Sequence, residues 1–291
     1  MPVLSSRIIA AQLGVWLAWS GTYLAIAVAV QAFPPFLLGA CRFLVAGLGL
    51  YALLRWQGVP APNRGQWLAS VITGSLLLCG GNGLVCWAEQ TEPSGITALI
   101  IASTPLWMIV LPLLYQRQHR PPLTAWIGVA LGLIGVTVLF GAPGTVSAIG
   151  AVAVLGACLC WAVGSLWSKH LPAHPSAFMA GAAQMIAGSA VMAVVGLALG
   201  EGPRMAQLGQ HLTPTVVWAW IYLVVVGTWI GLCCYLWLLR QVSGAAATSY
   251  AFVNPVLAVL LGWLVGGEHL GWPVFVAMAL IIPGVVLVLR R

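Results

Sequence analysis

Charge is what this sequence has least of. Only 5% of its 291 residues are charged, where soluble domains carry about a quarter, and that shortage excludes an ordinary soluble fold. Aspartate is missing altogether; the acids are Glu89, Glu92, Glu201 and Glu268, and Lys169 is the single lysine. The chain also lacks an HExxH pattern, a serine–histidine pair within an apolar stretch and a phosphate-binding glycine loop ending in lysine. An intramembrane enzyme needs one such set at membrane depth, so the sequence argues against that class. Long polar intervals are missing too. The longest, from about Gly200 to Thr215, is too short to build a soluble core.

What is present is apolar, with 62% of positions hydrophobic. A hydrocarbon core of about 30 Å takes about 20 helical residues to cross. The runs at 9–30, 35–54, 67–88, 95–115, 123–140, 148–168, 177–199, 216–239, 244–264 and 272–289 predict an all-α polytopic membrane protein of ten spans. The first run continues straight to Pro34-Pro35 without a cleavage site, and reads as a signal anchor.

If the ten spans alternate, Arg7, Arg55, Arg64, Arg117, Arg120, Lys169, Arg240, Arg290 and Arg291 fall on one side, and Arg204 alone falls on the other. Basic loops are retained in the cytoplasm, so both termini are expected there, in a bacterial inner membrane. The +7 charge thus sets topology and implies no nucleic-acid partner. All seven cysteines (Cys41, Cys79, Cys86, Cys158, Cys160, Cys233, Cys234) fall inside spans, where thiols pack as small apolar groups. Their spacing matches no zinc or haem signature, and neither a metal nor a cofactor is expected.

The two halves resemble each other. Gly14–Trp19 recurs as Gly156–Trp161, and Gly39–Gly47 as Gly181–Gly188; Gly83–Trp87 matches Gly231–Tyr235, and Ser94-Gly95 with Pro105 matches Ser243-Gly244 with Pro255. Five spans per unit is an odd number, so the second unit enters from the opposite side. We therefore expect two inverted repeats, 1–141 and 142–291. Inverted repeats of this kind are common in secondary transporters, with a site near the midplane.

Candidate cavity residues follow from polarity and aromaticity within the spans. Pro105 and Pro255 stand at equivalent depths, each removing one backbone hydrogen bond; they either free the carbonyls of Ile101 and Ala251 for a ligand or simply kink their helices. Beside them stand Thr104, Trp107, Asn254 and Tyr250. Trp19, Thr22, Tyr23, Trp161 and Ser165 occupy spans 1 and 6, and Asn82 occupies span 3. Aromatic walls with a few hydroxyls suit a small amphipathic solute. Arg42 and its repeat partner Gln184 read as intramembrane structural polar groups, although Arg42 could also bind a carboxylate. Glu89 ends span 3 and is either a proton or cation site, or a water-facing end residue like the other three acids. Gly128/Gly132 and Gly262/Gly266 allow close helix packing, so a monomer or a weak homodimer is expected.

Several stretches together resemble the Drug/Metabolite Transporter superfamily, specifically its EamA family and the YedA-like inner-membrane exporters. They are Trp19–Ile26, Pro34-Pro35, Arg42–Ala46, Gly81–Leu84 running to Ala88-Glu89, Pro93–Gly95, Met179–Ala182 and Ala247–Pro255. The resemblance implies ten helices in two inverted repeats, a central cavity lined by spans 1, 3, 4, 6, 8 and 9, and export of small organic metabolites such as amino acids. Two departures stand out. The first span has no acid, so the glutamate of the superfamily's four-helix multidrug branch has no counterpart here. Ser20-Gly21 also stands where relatives have glycine then serine, which weakens a role for the Ser20 hydroxyl. A lipid flippase, with a groove open sideways, is the remaining rival.

Overall fold

In a computed structural model, residues 6–113, 122–141, 147–242 and 250–289 are described. Arg117, Arg120, Arg290, Arg291, the Ser243-Gly244 pair and residues 247–249 lie outside that set. In chain order the helices are α1 (Ser6–Ala29), α2 (Pro35–Trp56), α3 (Arg64–Thr73), α4 (Leu84–Ala88), α5 (Ser94–Ile101), α6 (Thr104–Leu113), α7 (Leu123–Gly141) and α8 (Ala148–Ser168). They continue with α9 (Ala177–Ala198), the short α10 (Gly202–Ala206) and α11 (Leu208–His211), α12 (Pro214–Tyr222), α13 (Gly231–Gln241), α14 (Tyr250–Leu264) and α15 (Trp272–Leu289). Two π-helical segments, π1 (Gly74–Gly83) and π2 (Leu223–Ile230), join α3 to α4 and α12 to α13 without a break. No strand occurs among the described residues.

Among the described residues, seven helices are long and apolar enough to cross a membrane, and three shorter apolar ones cover Leu123–Leu139, Val253–Leu264 and Trp272–Leu287. Side chains such as Leu17, Leu48, Leu68, Val152 and Val194 lie exposed on the outside, a surface that lipid tails solvate and water does not. Three features were not legible in the apolar runs. The span expected over 95–115 is two helices parted at Ala102-Ser103, two spans carry π segments, and the Gly200–Thr215 interval contains α10 and α11.

Helix boundaries follow from local chemistry. Pro35 opens α2 at N1, where its missing N–H costs nothing. Asn63 and Gln66 form a reciprocal capping box on α3, and Ser147, Ser176 and Thr213 accept from backbone amides at the starts of α8, α9 and α12. Gly58 and Gly200 take φ of +82° and +80° and end α2 and α9 alike. After α2, Val59 N donates to Leu54 O and Gly58 N to Arg55 O; after α9, Glu201 N donates to Gly196 O and Gly200 N to Leu197 O. This is the Schellman pattern, which a residue with a Cβ enters only under strain.

The bundle is built from pairs of helices drawn from the two halves of the chain. α2 lies along α9, α7 lies along α15, the α3–π1–α4 helix packs on α8 and α9, and α1 packs on the α12–π2–α13 helix and on α14. Glycine sets the closest of these contacts. A Cβ on Gly74 would stand 2.8 Å from Gly188 Cα, and one on Gly284 2.7 Å from Gly128 O and 2.9 Å from Gly132 N. The Gly128/Gly132 face of α7 is therefore covered by α15 within the chain.

Candidate functional site

A helix begins with four amides that have no partner inside it and with the positive end of its dipole. On one face of the bundle, three of the four glutamates answer this need. Glu201, after α9, accepts from Phe36 N (3.2 Å) and Leu37 N (2.9 Å) at the start of α2. Glu268, after α14, accepts from Ser94 N (2.7 Å), the Ser94 hydroxyl and Gly95 N (3.1 Å) at the start of α5. Glu92, before α5, accepts from Ser147 N (3.2 Å) and the Ser147 hydroxyl at the start of α8. Each acid caps a helix from the opposite half of the chain. Gly196, Gly262 and Gly150 leave room for these carboxylates, which a Cβ would meet.

Glu92, Glu201 and Glu268 are thus helix caps, and the reading of Glu92 as a water-facing end residue is corrected, since it is 5% exposed; Glu201 and Glu268 keep part of their surface open. Glu268→Ala is expected to cost about 1–2 kcal/mol and Glu268→Gln less, because the amide oxygen still accepts. Apparent melting temperatures in detergent would check that order.

The same face holds Arg204. It donates Nη1 to Gln90 Oε1 (3.1 Å) and Nη2 to the carbonyls of Val30 and Gln31 beyond the end of α1. Ala27, Val30, Gln31, Glu89, Gln90, Thr91, Glu92, Pro93, Arg204 and Glu268 line an open cavity of about 510 Å³ on this face. Glu89 differs from its three neighbours. It follows the last residue of α4, is 4% exposed, and neither carboxylate oxygen has a hydrogen-bond partner. The Ala27 amide faces it without reaching hydrogen-bond geometry. Burial first, and the charge of Glu268 second, push the Glu89 carboxyl well above the usual carboxylate range.

Deeper in the bundle, α1 meets π2, α13 and α14. Trp19 Nε1 donates to Gly227 O (3.1 Å), and its ring lies 4.6 Å from the ring of Tyr250 and 5.2 Å from that of Tyr235. At the next residue, the fully buried Ser20 hydroxyl is shared between Trp16 O (2.5 Å) and Asn254 Oδ1 (3.2 Å), tying α1 to α14. Tyr222 OH donates to Leu17 O and Ala18 O. Together these contacts form a plug that ties α1 to α12, π2, α13 and α14.

The proposed cavity residues are only partly gathered. Trp19, Tyr250 and Asn254 meet in this plug, and Tyr23 lies within electrostatic reach of Glu89 and Tyr250. Thr22 donates to Trp19 O and rests its methyl over Gly227. Trp161 sits apart, over Gly81 of π1, with 40% of its surface open. Asn82 accepts from the Cys86 thiol (3.6 Å), Ser165 O accepts from the Ser168 hydroxyl, and the Trp107 indole N–H is buried without a partner. Gln184 lines a cleft of about 120 Å³ with Gln66, Ser70 and His174. Arg42, 5% exposed, donates Nε to Thr228 Oγ1 (3.0 Å) and lies 4.8 Å from the Phe43 ring centre, and its Nη1 has no partner.

Two expectations change here. The Ile101 carbonyl released by Pro105 is not left for a ligand, because the Thr104 hydroxyl donates to it at 2.6 Å; Pro105 stands where α5 and α6 part, whereas Pro255 lies inside a continuous α14. Ser20, discounted for its order relative to Gly21, is engaged at the centre of the bundle. Tyr222, Tyr235, Thr228 and Gln31 were also missed. Tyr235 was within reach, since it closes one of the repeated segments. Among the described residues no group of histidine, cysteine or acidic side chains is placed to hold a metal ion.

The model of the EamA-like transporter family matches residues 6–141 and 148–290. The chain belongs to the EamA family. It is 36% identical over 277 residues to the uncharacterised inner membrane transporter YedA of Escherichia coli (strain K12), covering 94% of this chain and 87% of YedA. Identity is 23% to the uncharacterised transporter YoaV of Bacillus subtilis (94% and 93% covered). It is also 23% to a probable amino-acid metabolite efflux pump of Salmonella typhimurium (91% and 90% covered). One crystal structure of 22% identity shares the fold, with a TM-score of 0.62 over 97% of this chain and 96% of the other. This EamA protein is therefore an all-helical member of a transporter family whose relatives include an inner membrane protein.

Proposed function

We propose that this chain is a secondary transporter that exports a small amphipathic metabolite by alternating access, with ten spans in two inverted repeats. The observation that carries the reading is the pairing of a cavity of about 510 Å³ with the Trp19–Tyr235–Tyr250 cluster and the Ser20–Asn254 bond beneath it. Residues of both halves wall that cavity, and the aromatic and hydrogen-bonded cluster likewise joins both halves. Such an arrangement corresponds to one half of an alternating cycle.

Four features support the repeat. Gly58 and Gly200 end their helices with the same hydrogen bonds; π1 and π2 occupy equivalent spans; Trp19 lies against Gly231, as Trp161 lies against Gly81; and the family matches fall on either side of residues 142–147. The bias of basic residues supports cytoplasmic termini, which would turn the face of Glu89 to the periplasm. α5 packs tightly on α14, where a Cβ on Gly95 would stand 2.9 Å from Val259 Cα. That contact speaks against a groove parted toward lipid, as a flippase would need. The protein would act as a monomer or a weak homodimer.

The test is counterflow of amino acids and organic cations in proteoliposomes. Asn254→Ala and Trp19→Ala are each expected to slow exchange about tenfold, equivalent to about 1.4 kcal/mol. If no candidate solute moves, and both variants leave cellular export unchanged, the transport reading fails.

A further inference from the structure

The cavity offers acceptors without a matching donor. Glu92 and Glu268 already accept from the amides and hydroxyls of the helix starts they cap, and Arg204, the one cation among the lining residues, is directed at Gln90 and at two carbonyls beyond α1. No described donor or cation reaches Glu89, although both of its oxygens are buried. A buried carboxylate without a partner is costly, and nothing in the packing of α4 requires one: Ala88 and Cys86 beside it are buried apolar groups. The other charged and titratable groups within electrostatic reach of it are Glu268, Tyr23 and Cys86. None of these is a cation.

We infer that Glu89 is the recognition group for a protonated amine, which enters the cavity with its ammonium on the Glu89 carboxylate and its apolar body against Ala27, Val30 and Pro93. An ammonium supplies what the site lacks, namely a positive charge and up to three N–H donors. The amide of Gln31 stands on the same wall and can take a second polar group, whereas that of Gln90 is held between Arg204 and Trp87 O. At about 510 Å³ the space is within the range of small-molecule sites. Inorganic divalent cations demand six or more oxygen ligands, whereas here two of the three carboxylates are already held by helix starts.

This inference names the substrate class of the proposed transporter and rests on that reading only for its consequence, since binding can be measured without transport. Phenethylamine is the probe, and its neutral isostere 2-phenylethanol the control, added to the purified full-length protein in detergent and followed by calorimetry. Phenethylamine is expected to bind at least about tenfold more tightly than the alcohol. Glu89→Gln is expected to remove that preference while leaving the weak binding of the alcohol unchanged. Because the substitution is isosteric and removes an unpaired buried charge, the variant should melt no lower than wild type, so lost binding cannot be assigned to unfolding.

Wild-type affinity of Glu89→Gln for phenethylamine would overturn the inference, as would equal binding of amine and alcohol, or sodium ions displacing the amine as readily as methylammonium does. Amine binding through Glu89 with no counterflow of any solute would sink the transport reading and leave the site standing. Counterflow of amino acids unaffected by Glu89→Gln would do the reverse.

Discussion

Gly284→Leu is expected to leave little monodisperse protein after detergent extraction, and Gly284→Ala to lower stability by about 2 kcal/mol, within the usual range for overpacking. The reason is what surrounds the site. A Cβ there would meet three backbone atoms of α7, namely Gly128 O at 2.7 Å, Gly132 N at 2.9 Å and Gly132 Cα at 3.4 Å. Backbone cannot rotate aside as a side chain can, so α15 and α7 must part along their length. Gly209 in α11 is the control, since a Cβ there meets nothing within 4 Å. Gly209→Ala should stabilise by up to about 1 kcal/mol through helix propensity alone. Apparent melting temperatures moving in opposite directions would establish the contact; a harmless Gly284→Ala would refute the close crossing.

Thr228→Val is expected to damage the fold more than Arg42→Met does, although it removes far fewer atoms. The Thr228 hydroxyl accepts from Arg42 Nε and itself donates to Leu223 O at 2.8 Å. Losing it leaves a buried guanidinium, already without a partner at Nη1, with a second orphaned donor, a cost of about 2–3 kcal/mol. Arg42→Met removes the buried charge itself, keeps the apolar stem beside Phe43, and leaves Thr228 bonded to Leu223. Replacing a buried ion by a well-packed apolar group is often neutral, so a change within about 1 kcal/mol is expected. Thermal unfolding of the two variants checks the order, and the reverse order would mean that Arg42 has an anionic partner besides Thr228.

Much of the architecture was legible because membrane helices announce themselves by length and polarity. The run at 148–168 coincides with α8, since Ser147 and Lys169 bracket an unbroken apolar stretch. The interruption at Ala102-Ser103 was not legible. Pro105 signals a lost hydrogen bond but does not say whether the helix bends or breaks, and the matched Pro255 sits in an unbroken helix. The π segments were equally hidden, because a register shift by one residue leaves composition unchanged. Of the candidate site, the aromatic partners of Trp19 could not be assigned, since Tyr235 and Tyr250 reach it from two other helices.

The four glutamates draw the line between the two levels. The sequence by itself determined that acids are scarce, that they fall at helix ends, and that the chain is built for a bilayer, because hydropathy acts on each residue where it stands. Only the tertiary structure decided which acid is free. Glu92 finds its helix start 55 residues away, Glu201 finds one 164 away and Glu268 one 174 away. Capping depends on which amides the packing of the two halves brings opposite each carboxylate, and for Glu89 the packing brings none of the described amides into hydrogen-bond geometry.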